Sequence, residues 1–298
     1  MSTAPAPATA PAPAPATAPA PAPATAPAAP GSDLLTPAPS DLQGDPGDPS
    51  HPLDNPAWAA LTGPHAHFAE RVGRAARYPA DVAPFHAVSD PRDPRAWADL
   101  ARLVGPGGIA SVRGVTGGPA GWETVRTGYG VQLVDTALRA EDDPEAVRLG
   151  PDDVPEILDL VARTEPGPYL PRTVELGTYL GIRRHGRLIA LAGERLRPAG
   201  WTEISAVCTD PAHRGQGLAT RLVRAVAAGV RARGEQPFLH AAADNTDAIR
   251  LYESIGFTLR RRTVFTRVRR TAVAEPAGTS APSERPRAIR AAAQEETA

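Results

Sequence analysis

Between Leu218 and Val230 apolar residues return every four positions: Leu218, Leu222, Val226 and Val230, with Val223 beside them. That period winds the five onto one stripe of an α-helix. Arg221, Arg224 and Arg231 fall on other faces, where solvation alone is expected. Upstream the period changes. "TYLGIRRHG", "RLIALAGERLRPAG" and "TEISAVCTD" read as three strands joined by tight turns at His185–Gly186 and Ala199–Gly200. "AVRLGP" (146–151) predicts a short strand. "DDVPEILDLVART" (152–164) predicts a helix whose acidic first turn suits the helix dipole, and "PRTVELG" a second, shorter one. Downstream, "PFLHAAAD" reads as a strand, and "NTDAIRLYESIG" as a helix with Asn245 as start and Gly256 as stop. "TLRRRTVFTRVRR" closes the series as one or two strands. This order predicts a mixed α/β sheet over residues 146–270.

The stretch 51–145 is expected to be a smaller N-terminal α/β domain without recognisable chemistry. "PAWAALTG" and "PRAWADLARLV" read as helices; "VAPFHAV", "GGIASVRGV" and "YGVQLVDT" read as strands. Residues 1–50 repeat Ala, Pro and Thr and then turn acidic, which predicts an extended disordered arm and linker. Residues 271–298 are poor in large apolar side chains and are expected to be a disordered tail.

Composition narrows the function classes. The formal net charge of the 298 residues is −1, so no global field is expected to recruit nucleic acid or an anionic membrane. No apolar run reaches 18 residues, and a single cysteine, Cys208, allows no disulfide framework. A soluble cytoplasmic protein, monomeric or homodimeric, is expected. His51, His65, His67 and His86 do not fall at metal-ligand spacing, so no metal is expected. All 32 basic residues are Arg.

That last fact bears on "PAHRGQGLATRL" (211–222), a Gly-rich loop at the mouth of the Leu218 helix. A Walker loop requires Lys after its second glycine, and there is none. The dinucleotide fingerprint requires Gly or Ala where Thr220 stands. A third cradle, Arg/Gln-x-x-Gly-x-Gly/Ala, is met by Arg214, Gly217 and Ala219. Small residues let an anion approach the backbone, and the first helical N–H groups have no intrahelical acceptor. Beyond it, Asn245, Ala248, Tyr252, Gly256 and Phe257 form a second pattern.

With both motifs in this strand order, residues 146–270 resemble the GNAT superfamily of acyl-CoA-dependent N-acyltransferases. "GERLRPAGWTEISAVCTDPAHRGQGLATRLV" is most similar to the glycine N-acyltransferase subgroup. The resemblance implies a mostly antiparallel mixed sheet flanked by helices, and a degenerate second copy of the fold is one expectation for 51–145. It implies acetyl transfer from acetyl-CoA directly to a primary amine of a small molecule or a protein. Backbone groups of Val207, Cys208 and Thr209 would then pair with the pantetheine arm. Arg214, Gly215, Gln216, Gly217, Leu218, Ala219 and Thr220 would cup the pyrophosphate, and Asn245 would bond the arm.

Tyr252 would protonate the departing thiolate. Glu203 stands where the histone-acetyltransferase branch carries its base, with Glu194 as the alternative. Cys208 is expected to be a small buried strand residue, not a nucleophile. On the acceptor side, Glu165 and Glu175 would attract an amine, Arg172 would clamp a carboxylate, and Tyr169 would form an apolar wall. A non-catalytic acyl-CoA-binding regulatory module is the alternative reading.

Overall fold

Alternating apolar positions and Gly-marked turns produce strands through most of the chain, and the computed structural model describes residues 51–271. The arm expected at 1–50 and nearly all of the tail lie outside them. Strands β1 (Glu70–Val72), β2 (Ala75–Arg77) and β3 (His86–Val88) form a small antiparallel sheet in that order. The main sheet has eight strands. They are β4 (Ile109–Arg113), β5 (Trp122–Asp135), β6 (Val147–Leu149), β7 (Tyr179–Arg184), β8 (Arg187–Glu194), β9 (Trp201–Thr209), β10 (Gln236–Ala242) and β11 (Phe257–Arg270). Their spatial order is β4-β11-β5-β10-β9-β8-β7-β6. Every neighbouring pair is antiparallel except β9 and β10, which run parallel. The helices are α1 (Pro56–Leu61), α2 (Pro94–Val104), α3 (Val154–Thr164), α4 (Leu218–Ala232) and α5 (Thr246–Ser254).

The expected helix at "PRTVELG" is only a 3-10 turn, Thr173–Leu176, because Gly177 ends it after four residues. The expected boundary at 145/146 does not divide two sheets. β5 lies between β10 and β11, so a strand from the first half completes the sheet of the second. Its polar opening, Trp122–Gly128, pairs with the Arg/Thr-rich end of β11. The β5 partner is largely exposed there and shows no apolar alternation to read, whereas β11 buries Val264, Thr266 and Val268 in alternation.

Two layers cover the two faces. On one, Leu218, Leu222, Val223, Val226 and Val230 of α4 pack on Ile182, Ala190, Ile204 and Leu239. Each of the leucines, valines and isoleucines among these contributes roughly 1.5–3 kcal/mol by leaving water. On the other, Ile157 and Leu160 of α3 pack on Tyr179, Leu188 and Leu191. Arg221, Arg224 and Arg231, expected merely to be solvated, pair with Asp143, Glu141 and Asp135. These pairs, in which the arginines are half-exposed and the Asp143 and Asp135 side chains nearly buried, pin the outer face of α4 to the 135–143 connection.

Candidate functional site

The parallel pairing of β9 and β10 runs only from Trp201–Gln236 to Ile204–Leu239. Beyond it the strands part. The cause lies in β9: Ser205 opposes Gly193 and Cys208 opposes Leu191, so two residues on β9 face one on β8. Within that bulge Ala206 takes φ 54°, a left-handed conformation that costs an L-residue about 1 kcal/mol or more. The bulge re-aims the backbone of Ala206 and Val207 and opens a cleft of about 790 Å³ between the strands.

Every residue expected to touch a cofactor lines this cleft. Val207, Cys208 and Thr209 form one wall, Arg214 to Thr220 one end, and Asn245 and Tyr252 come from α5. Gly215 (φ 76°) and Gly217 (φ 73°) both require the left-handed region, so the loop turns back without a Cβ clash before α4 begins. No side chain caps α4. Its first backbone bond is from Arg221 N–H to Gly217 C=O, and the N–H groups of 215–220 donate to no acceptor among the described residues. Residues 214–220 contain no carboxylate, so that end of the cleft is a concave set of donors with a positive helix terminus behind it.

The side chains are more divided. Asn245 Oδ1 accepts from Ala248 N–H (3.1 Å) and caps α5, which leaves its amide Nδ2 uncommitted. The Tyr252 hydroxyl has no hydrogen-bond partner among the described residues. The ring is mostly buried and packs edge-on against Phe257, and burial pushes its pKa up to about 12, with the Cys208 sulfur adding to the shift. Burial likewise pushes the Cys208 thiol up to about 11, so it stays protonated and unreactive at neutral pH.

Glu203 is fully buried and does not line the cleft. Arg195 clasps it in a fork, Nε to Oε2 at 3.0 Å and Nη2 to Oε1 at 2.8 Å. His240 Nδ1 stands 2.6 Å from Oε1 and donates to it. Burial opposes the carboxylate's charge, but Arg195 and His240 outweigh it and hold the group well below the usual carboxylate range. His240 is itself spent on both nitrogens. Nε2 faces Gln132 Nε2 at 3.1 Å and Arg113 Nη1 at 3.0 Å, both donors. Burial, with Arg113 beside the ring, lowers its pKa to about 4, so it is neutral. Glu194 is also buried away from the cleft, with Arg233 Nη2 3.0 Å from Oε1. The structure thus brings the cofactor-side residues together and places neither candidate base on the cleft wall.

The acceptor-side expectations also part company. Glu165, at the C-terminal end of α3, lines the cleft. Arg172 is tied to Glu175 (2.8 Å) and Asp81 (3.4 Å) and stands outside the cleft lining. Tyr169 is buried against Tyr179, ring centroids 5.3 Å apart, and forms part of the α3 core instead of a cleft wall.

The residue that the sequence reading passes over is Arg195, which lines the cleft while gripping Glu203. A signal existed. The hairpin through Ala199–Gly200 brings Glu203 back beside Arg195, whose N–H donates to the Glu203 carbonyl (2.9 Å).

The FR47-like protein family model matches residues 179–266, which hold β7 to β10, α4, α5 and most of β11. An acetyltransferase of the GNAT family from Novosphingobium aromaticivorans has a solved structure 42% identical in sequence. It aligns with a TM-score of 0.68 over 74% of this chain and 99% of its own. N-alpha-acetyltransferase RimI of Mycobacterium tuberculosis is 39% identical over 90 residues, 28% of this chain and 56% of RimI. A mycothiol acetyltransferase of Thermobispora bispora is 47% identical over 57 residues, 19% of each chain. The chain therefore spans about half of RimI and about a fifth of the mycothiol enzyme.

Proposed function

The chain belongs to the GNAT family of acetyltransferases, and from that membership we propose that it moves an acetyl group from acetyl-CoA directly to a primary amine. One observation carries the reading: β9 and β10 part beside a loop whose successive N–H groups, 215–220, have no protein acceptor. Such a donor set suits a pyrophosphate, and the residues present fit acetyl-CoA. The unpaired edge of β9 at Val207–Thr209 would hold the pantetheine arm by strand-like backbone pairing, and Asn245 Nδ2 would add a donor.

Acetyl-CoA supplies an acyl group already activated as a thioester; the chain's own residues bind, orient and manage protons. The re-aimed N–H groups of Val207 and Cys208 are the donors for oxygen charge developing on the acyl group. An alkylammonium of pKa about 10.4 must lose a proton before it attacks. With Glu203 and Glu194 both turned inward, that proton passes to water in the cleft, whose lining carries the carboxylates of Glu165 and Asp247. Glu203 instead holds Arg195 in place. At about 12, Tyr252 is a weaker acid than a thiol near 8.5, so its hydroxyl steadies the departing sulfur by donating a hydrogen bond, not by surrendering the proton.

The test is release of free thiol from acetyl-CoA with a panel of amines. Amine-dependent release supports the transferase. Binding of acetyl-CoA without release for any amine would instead favour a non-catalytic acyl-CoA-binding module.

A further inference from the structure

At the end of the cleft remote from the Gly loop, the charges do not balance. Arg195 and Arg113 are cations, Glu203 is the one anion beside them among the described residues, and the His240 ring that contacts Glu203 and Arg113 is neutral. Arg113 has no carboxylate within ion-pair distance among the described residues, and its buried Nε has no hydrogen-bond partner. A net positive charge therefore sits behind the cleft wall, where the low dielectric leaves it poorly screened.

Arg195 presents that charge to the cleft. Its Nε and Nη2 are committed to Glu203, and its guanidinium lies over the Phe85 ring at 5.0 Å. Nη1 makes no hydrogen bond to the described protein, and it is absent from the buried unpartnered atoms, so it opens to the cleft that Arg195 lines. A guanidinium clamped by a carboxylate below and an aromatic face at its side loses little freedom on binding a ligand. Its free edge suits an anionic oxygen.

The geometry points to a carboxylate subsite at Arg195 Nη1: the amine that this cleft acetylates carries a carboxylate, as a free amino acid, a short peptide with a free C-terminus or a peptide with an acidic N-terminal residue does. The inference rests on the acetyltransferase reading and adds the acceptor's class to it. Arg172, the other candidate for this task, is already taken up by Glu175 and Asp81.

The experiment uses matched acceptors that differ only in charge: glycine and glycinamide, β-alanine and β-alaninamide, and short peptides with free or amidated C-termini. Thiol release by the full chain is measured with each. The carboxylate member of the accepted pairs is expected to have a kcat/KM at least about 10-fold above its amide. In Arg195→Lys, which keeps the charge for Glu203 but removes the planar fork, the ratio is expected to fall toward one. Should that variant misfold, the double variant R195M/E203M replaces the buried pair by apolar side chains, and the same loss of ratio is expected. Equal rates across the wild-type pairs, or a preference that survives in the variants, would overturn the subsite.

Succinyl-CoA and butyryl-CoA are run with amide acceptors. An Arg195-dependent preference for the succinyl donor would place the carboxylate on the donor and overturn the acceptor assignment. Glutarate and glutaramide are also titrated by calorimetry into CoA-saturated protein. Glutarate binding that R195K abolishes supports the subsite even where no amine is acetylated, in which case the transferase reading alone fails. Absence of glutarate binding together with no amine turnover would overturn both.

Discussion

At the residue scale, the cleft separates side chains that act from side chains that hold. Tyr252 has a free hydroxyl on the cleft wall and a ring sealed into the core, so removal of its oxygen should spare the fold. Tyr252→Phe is expected to lower kcat by about 10- to 100-fold, the worth of one hydrogen bond to a charged sulfur. Acetyl-CoA affinity measured by calorimetry should change little, and unchanged kcat would remove the role. Glu203 differs in kind. Glu203→Gln takes away the buried counter-charge of Arg195, so chemical denaturation should show a loss of about 3–5 kcal/mol. The shape of the pH–rate profile should persist, because the proton leaves elsewhere; a lost acidic limb would make Glu203 the base after all.

At the element scale, what positions the site is the parting of β9 from β10, and β5 holds the far side of β10 in the sheet. Removing residues 51–145 would strip β4 and β5, leaving β10 with a bare edge and β11 with no strand partner at all. A fragment covering 146–270 is therefore expected to be insoluble or to lack a cooperative thermal transition, and sharp two-state unfolding would contradict this. The sequence displays α4, the β7–β8 hairpin and the Gly loop because each is local: a four-residue period, a His185–Gly186 turn, a cluster of small residues. It does not display the sheet order. The pairing of Trp122–Gly128 with the end of β11 joins segments over a hundred residues apart, and although β11 alternates at Val264, Thr266 and Val268, the polar opening of β5 carries no matching period. The candidate site divides the same way. The loop of small residues at the mouth of α4 was legible, whereas the inward turn of Glu203 depends also on His240 from β10, a partner that only the tertiary fold brings beside it.

At the scale of the whole molecule, three histidines are held neutral. Burial lowers His65, His86 and His240 each to about 4, against about 6.5 in the unfolded chain. Below 6.5 the unfolded chain takes up protons that the folded one refuses. Stability is therefore full above pH 6.5 and falls as pH drops toward 4, by at most about 1.4 kcal/mol per histidine per pH unit. Thermal midpoints between pH 7.5 and 4.5 should show this decline, and a flat profile would show that these rings titrate freely in the fold. The central claim, that the cleft between β9 and β10 is an acetyl-CoA site closed by the Gly loop, is tested most directly by titrating acetyl-CoA into the full chain and into Gly217→Glu. Gly217 sits at φ 73° with open space around it, so the new carboxylate would enter the cradle itself. Saturable binding by the wild type, weakened at least about 100-fold in a variant that still unfolds cooperatively, is the predicted result. Absence of wild-type binding, or equal affinity in the variant, would contradict it.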